Sequence, residues 1–157
     1  MRALLTALTL SFAVGAASPA FAENPAPYSG TRQIETGKPF LGYVDALKAS
    51  ILDNKMVLIG LACATCGAKA IGVDIPGNRV FLFFNPHYAV RMLKASEAAG
   101  IEAPIRIYVT ERSDGTAHVT YRLPSHVFGA YEVPELDRMG ADLDAAVEKI
   151  LADAAAG

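Results

Sequence analysis

Residues 104–122 read PIRIYVTERSDGTAHVTYR. Ile105, Ile107 and Val109 alternate with Arg106, Tyr108 and Thr110, and Ala117, Val119 and Tyr121 alternate with His118, Thr120 and Arg122. A period of two sends successive side chains to opposite faces of a strand, so each run has one apolar and one polar face. Ser113-Asp114-Gly115 between them has hairpin-turn chemistry. The stretch is therefore a β-hairpin whose apolar face needs a covering layer.

The candidate cover is helical. Beyond Pro124, a short helix is expected over Ser125–Ala130, with Ser125 suited to an N-cap. Pro134 stands where a helix starts, and Leu136, Leu143, Val147 and Ile150 form its apolar stripe. Asp142 and Asp144 on that helix are expected to face water. Upstream, Phe40, Val44, Leu47 and Ile51 fall on one helical face, and Asp53-Asn54-Lys55 ends that helix with Asn54 as a left-handed cap. Met56–Leu61 is a continuous apolar run of strand length, expected to be buried on both faces. Arg79–Phe84 is a second buried strand, entered by the turn Pro76-Gly77-Asn78 and halted by Asn85-Pro86. His87–Ala99 reads as a helix closed by Gly100. Arg32–Thr36 has the length of a short edge strand. The expected architecture is a two-layer α+β (or α/β) domain over residues 37–157. Helices pack on one mixed sheet of about five strands, and a C-terminal β-hairpin is followed by a helix. Residues 23–36 form an N-terminal arm with that edge strand, its first part (ENPAPYSGT) rich in Pro, Gly and Ser.

The N-terminus reads as an export signal. Arg2 precedes an apolar run from Ala3 to Val14, and Ala20-Phe21-Ala22 is a small-x-small cleavage pattern. Gly15, Ser18 and Pro19 interrupt the run before it reaches the roughly 20 apolar residues of a spanning helix. Residues 1–22 are thus expected to be a signal peptide cut between Ala22 and Glu23, delivering a periplasmic or secreted protein with no membrane span. Removing 22 of 157 residues leaves 135, enough for one core. The remaining 13 basic and 16 acidic side chains do not favour nucleic acid as a partner.

From Gly37 onward the chain resembles the family known as domain of unknown function 302. The resemblance rests on Pro39-Phe40 before a helix carrying Leu47-Lys48, and on an apolar strand ending Asn85-Pro86. It extends to an Ile- and Val-rich strand after Pro104, to Asp114-Gly115, and to Thr120-Tyr121 with Pro124 close behind. Phe84 replaces a Gly usual before Asn85, and His87–Leu93 replaces a Gly-Thr-Pro-like segment. The resemblance implies a compact domain that dimerises, and it brings no activity.

Chemistry concentrates in Cys63 and Cys66, the two cysteines of the chain. Two intervening residues put both sulfurs within bonding distance where a helix begins, and free N–H groups there stabilise a thiolate. Three readings follow, the first preferred and the other two its alternatives. The first is a non-catalytic binding module for Cu(I) or another soft ligand. Two thiolates suit that ion, and the string Leu61-Ala62-Cys63-Ala64-Thr65-Cys66 resembles the loop of heavy-metal-associated domains; His87 and Met92 are the accessory ligand candidates. The second is thiol–disulfide exchange. The order strand, Cys-x-x-Cys, helix parallels thioredoxins, in which a cis proline, here Pro104, faces the cysteines. The third is a static disulfide, which an oxidising compartment permits. A periplasmic metal or redox partner protein goes with the first two.

Other constellations are weaker. Gly60, Gly67 and Gly72 are not followed by the Lys-Ser or Lys-Thr of a phosphate loop. His87, His118 and His126 with Asp114 and Ser125 lack a nucleophile elbow. Arg106, Tyr108, His118, Thr120 and Arg122 turn away from the apolar hairpin face, as a solvated surface, a polar ligand surface or a dimer contact.

Overall fold

The structure is a computed structural model that describes residues 28–157. The expected signal peptide, its cleavage point and the first residues of the arm lie outside the described residues. The hairpin is present: β4 (Ile105–Glu111) pairs antiparallel with β5 (Thr116–Arg122), setting Ile107 across from Tyr121 and Val109 across from Val119. Gly115 adopts φ +80° at the turn, where its lack of a Cβ removes the strain. Around it, β1 (Thr31–Pro39), β2 (Val57–Ala62) and β3 (Asn78–Phe84) complete one five-stranded sheet in the order β1-β5-β4-β3-β2.

Every neighbouring pair is antiparallel, so the sheet is not the mixed one expected. The reason is topological. The links β2–β3, β3–β4 and β4–β5 each return the chain against its neighbour, and the long β1–β2 crossover joins opposite edges, which never pair. The edge strand expected at Arg32–Thr36 is β1; it is longer, and its pairing with β5 makes it part of the sheet. The domain therefore begins upstream of Gly37.

Helices α1 (Phe40–Asp53) and α5 (Pro134–Ala156) lie side by side over the apolar face. Phe81, Phe83, Ile107, Val109 and Val119 from the sheet meet Leu47 and Ile51 of α1 and Leu136, Met139, Val147 and Ile150 of α5, all fully buried. The Ser50 hydroxyl donates to the Ile150 carbonyl oxygen at 2.8 Å, tying the two helices together. A short α4 (Pro124–Gly129) packs on α5, and α3 (Pro86–Ala95) flanks it.

Several local expectations are corrected. The helix expected over His87–Ala99 stops at Ala95: Ser96 is extended, and a 3-10 turn over Ala98–Glu102 drops Ala99 into the core. The left-handed residue after α1 is Lys55 (φ 62°), not Asn54. The Asn54 amide instead donates to the Ser50 carbonyl and to Asp153. Ser125 lies inside α4 behind Leu123, and its N–H donates to Asp144 Oδ1, so Asp144 faces α4 rather than water. Asp142 does face water, and it receives an Arg91 N–H at 2.6 Å. Finally, Met56–Leu61 is not buried on both faces. Met56 is, but β2 is an edge strand and Val57, Ile59 and Leu61 are exposed. An apolar run has no periodicity to distinguish a central strand from an edge.

Candidate functional site

The cysteines lie where β2 ends. Cys63 is the N-cap of α2 (Ala64–Ala70), and its Sγ accepts the Cys66 backbone N–H at 3.0 Å. The two are joined as a disulfide, with Cα atoms 5.2 Å apart. Thr65 pins this turn to the start of β3: its hydroxyl donates to the Pro76 carbonyl oxygen at 3.1 Å and accepts the Asn78 N–H at 2.9 Å. Cys66 is exposed and Cys63 half-buried. The flanking stretches leave apolar side chains uncovered: Leu61, Val73 and Ile75 are exposed, and Ile71 is 79% exposed, with Lys69 and Asp74 exposed among them.

The remaining candidates do not gather there. Ala62 pairs with Val80, so the cysteines follow the end of the sheet where β3 begins. His87 follows the other end of β3, about 15 Å away at a strand's rise of roughly 3.3 Å per residue. It starts α3, where its backbone N–H donates to the Asn85 side chain. Met92 is buried in the core. The Ala103–Pro104 peptide is cis, as in the thioredoxin parallel. However, Ile105 pairs with Phe83, which puts Pro104 at the His87 end. The cause is strand direction: β2 and β4 run the same way, so the end of one and the start of the other are at opposite ends of the sheet. Among the described residues no cluster of three or more His, Cys, Asp or Glu is placed to hold a metal. The pair, once reduced, presents two sulfurs, which matches a two-coordinate Cu(I) and falls short of a closed four-ligand zinc site.

The histidines are also apart. His126 lies 3.0 Å from Ser29 Oγ, and His118 lies on the outer face of the sheet beside Glu35. That His118 is buried was not legible in the alternation. Glu35, opposite it on β1, and Arg112 close over it: Arg112 donates to Glu35 at 2.6 Å, and His118 Nδ1 is 2.9 Å from Glu35. The Arg112 hydrogen bond holds the Glu35 carboxyl below its usual range, against a smaller opposing effect of burial. Neither Glu35 nor Arg112 stood out in the sequence, because only the β1–β5 register brings Glu35 to His118.

The rest of the outer face is open. Tyr108 stands across from Thr120, and Thr31 across from Arg122. At the Pro104 end the face dips into a concavity of about 350 Å³.

No curated protein matches the chain in sequence. Its fold is similar to a crystal structure of an uncharacterized conserved protein DUF302 from Bacillus stearothermophilus: the TM-score is 0.71 at 17% identity, over 80% of this chain and 98% of that one. The sequence profile of the domain of unknown function DUF302 matches residues 32–154. That span runs from β1 to the last turns of α5, and the chain belongs to the DUF302 family.

Proposed function

We propose that the chain is a thiol–disulfide exchange partner in an exported, oxidising compartment, acting through Cys63 and Cys66. The observation that carries this reading is the placement of the bond: on an exposed turn, amid uncovered apolar side chains, with a backbone N–H on one sulfur. A static bridge accounts for less. A disulfide closing a four-residue loop contributes only about 2 kcal/mol by loop entropy, against about 3 for a fifteen-residue loop.

The exchange proceeds in two displacements. A partner thiolate attacks the sulfur of exposed Cys66, and Cys63 leaves as a thiolate stabilised by the Cys66 N–H. A second thiolate of the partner then attacks the partner's sulfur of the mixed disulfide and releases Cys66. The partner loses two electrons and two protons and gains a disulfide; Cys63 and Cys66 end as two thiols. A non-catalytic module holding Cu(I) on the reduced pair is the second reading, favoured by the two-sulfur donor set.

One preparation separates them. The reduction potential of the pair is measured, and the reduced protein is titrated with Cu(I) against a competing chelator. Rapid exchange, a potential in the oxidoreductase range and no copper affinity support exchange. Tight one-to-one copper binding, lost in Cys63→Ser, supports the binding module. A potential below about −300 mV with no copper binding leaves a structural bridge.

A further inference from the structure

We infer that the open face of the sheet carries a binding site for a small organic anion, gathered on Arg106 and Arg122. The β4–β5 register sets Ile107 across from Tyr121 on the covered face. That pair is the last of the ladder, and extending its register by one residue brings Arg106 opposite Arg122 on the open face. Residues directly opposite in an antiparallel pair have Cβ atoms about 5 Å apart, and like charges there destabilise the sheet. Among the described residues neither guanidinium is paired with a carboxylate. Arg122 stacks its guanidinium 5.0 Å from the Tyr28 ring centre, which orients it without neutralising it. An unneutralised arginine pair is a cost to folding that a bound anion removes, since each fork offers parallel N–H donors to a carboxylate or phosphate.

The surroundings complete a ligand site. Both arginines line the concavity of about 350 Å³, within the range of small-molecule pockets. Thr31, Thr120 and Tyr108 supply hydroxyls beside them, while Val80, Pro104 and Val127 supply apolar wall. Glu102 is the one carboxylate of the lining, and it accepts the Tyr131 hydroxyl at 3.1 Å. The ligand class is therefore an anion with an apolar body: charge on the arginines, body against the wall. This site does not involve the cysteines, so it stands or falls separately from disulfide exchange.

Backbone amide NMR of the purified protein, titrated with phenyl phosphate, benzoate and inorganic phosphate, tests the proposal. Saturable shifts are expected at Arg106, Tyr108, Thr120 and Arg122, with an organic anion binding more tightly than inorganic phosphate. Arg106→Gln and Arg122→Gln should each weaken binding by about tenfold. Each should also unfold at the same or a higher temperature, because one of two opposed like charges is gone. A loss of binding with retained stability is a result that a structural role does not produce. The proposal is overturned if no probe gives saturable shifts there, if both variants bind like the parent, or if inorganic phosphate binds as tightly as the organic anions.

Discussion

Gly140 of α5 lies so close to Ser125 of α4 that a Cβ built on Gly140 would stand 2.7 Å from the Ser125 Cα. The next nearest atoms are the Pro124 carbonyl oxygen and the Ser125 nitrogen, both 3.2 Å away. All three belong to the backbone, so no side-chain rotation relieves the contact. Gly140→Ala should therefore destabilise the protein by about 1–3 kcal/mol despite alanine's better helix propensity. Urea unfolding of the two proteins measures this. Gly67→Ala in α2, which meets nothing within 4 Å, is the control, expected to be neutral or stabilising by up to about 1 kcal/mol.

Removing the disulfide should leave the fold intact. The bridge spans one exposed turn that Thr65 also holds, and neither cysteine belongs to the buried core. Cys63→Ser/Cys66→Ser is expected to lose at most about 2 kcal/mol, with near-native circular dichroism. A loss of cooperative unfolding in that variant would mean the bridge is structural.

If exchange begins at Cys66, the two single variants differ. Cys63→Ser retains the exposed thiol and should accumulate a mixed disulfide with a small aromatic disulfide reagent. Cys66→Ser retains the half-buried Cys63 and should react about tenfold more slowly or less. Equal rates would place the attack on neither sulfur preferentially and remove the basis for the proposed order.

Acid should weaken the contact between β1 and the hairpin. Arg112 holds the Glu35 carboxyl below 4.5, its value when unperturbed. A depressed carboxylate stabilises the fold above its unfolded pKa, and that contribution disappears as pH falls through the lower folded value. Melting temperatures of the parent and Glu35→Gln should thus differ at neutral pH and converge in acid. A difference that is unchanged at low pH refutes the assignment.

Alkali acts on Tyr43, a buried residue of α1 whose phenol is pushed up to about 12 by burial. Between pH 10 and 12 the folded protein keeps a proton that the unfolded chain releases, so stability falls as pH rises through that window. Tyr43→Phe should flatten the fall, read as melting temperature against pH. An identical slope in parent and variant would exclude Tyr43 as its source.

The elements and their faces were legible from residue order. The alternation over 104–122, the stripe of Leu136, Leu143, Val147 and Ile150, and the helix over Phe40, Val44, Leu47 and Ile51 all follow from side-chain period, which is local. The Cys-x-x-Cys pair was legible for the same reason. Which strands are neighbours was not, because pairing depends on contacts between residues far apart in the chain. Strand order and direction put His87 and Pro104 away from the cysteines and turned Met56–Leu61 into an edge, core packing took Met92, and register brought Glu35 to His118 and Arg106 opposite Arg122. The period of a strand says which way a side chain points, and what stands beside it depends on contacts made across the fold.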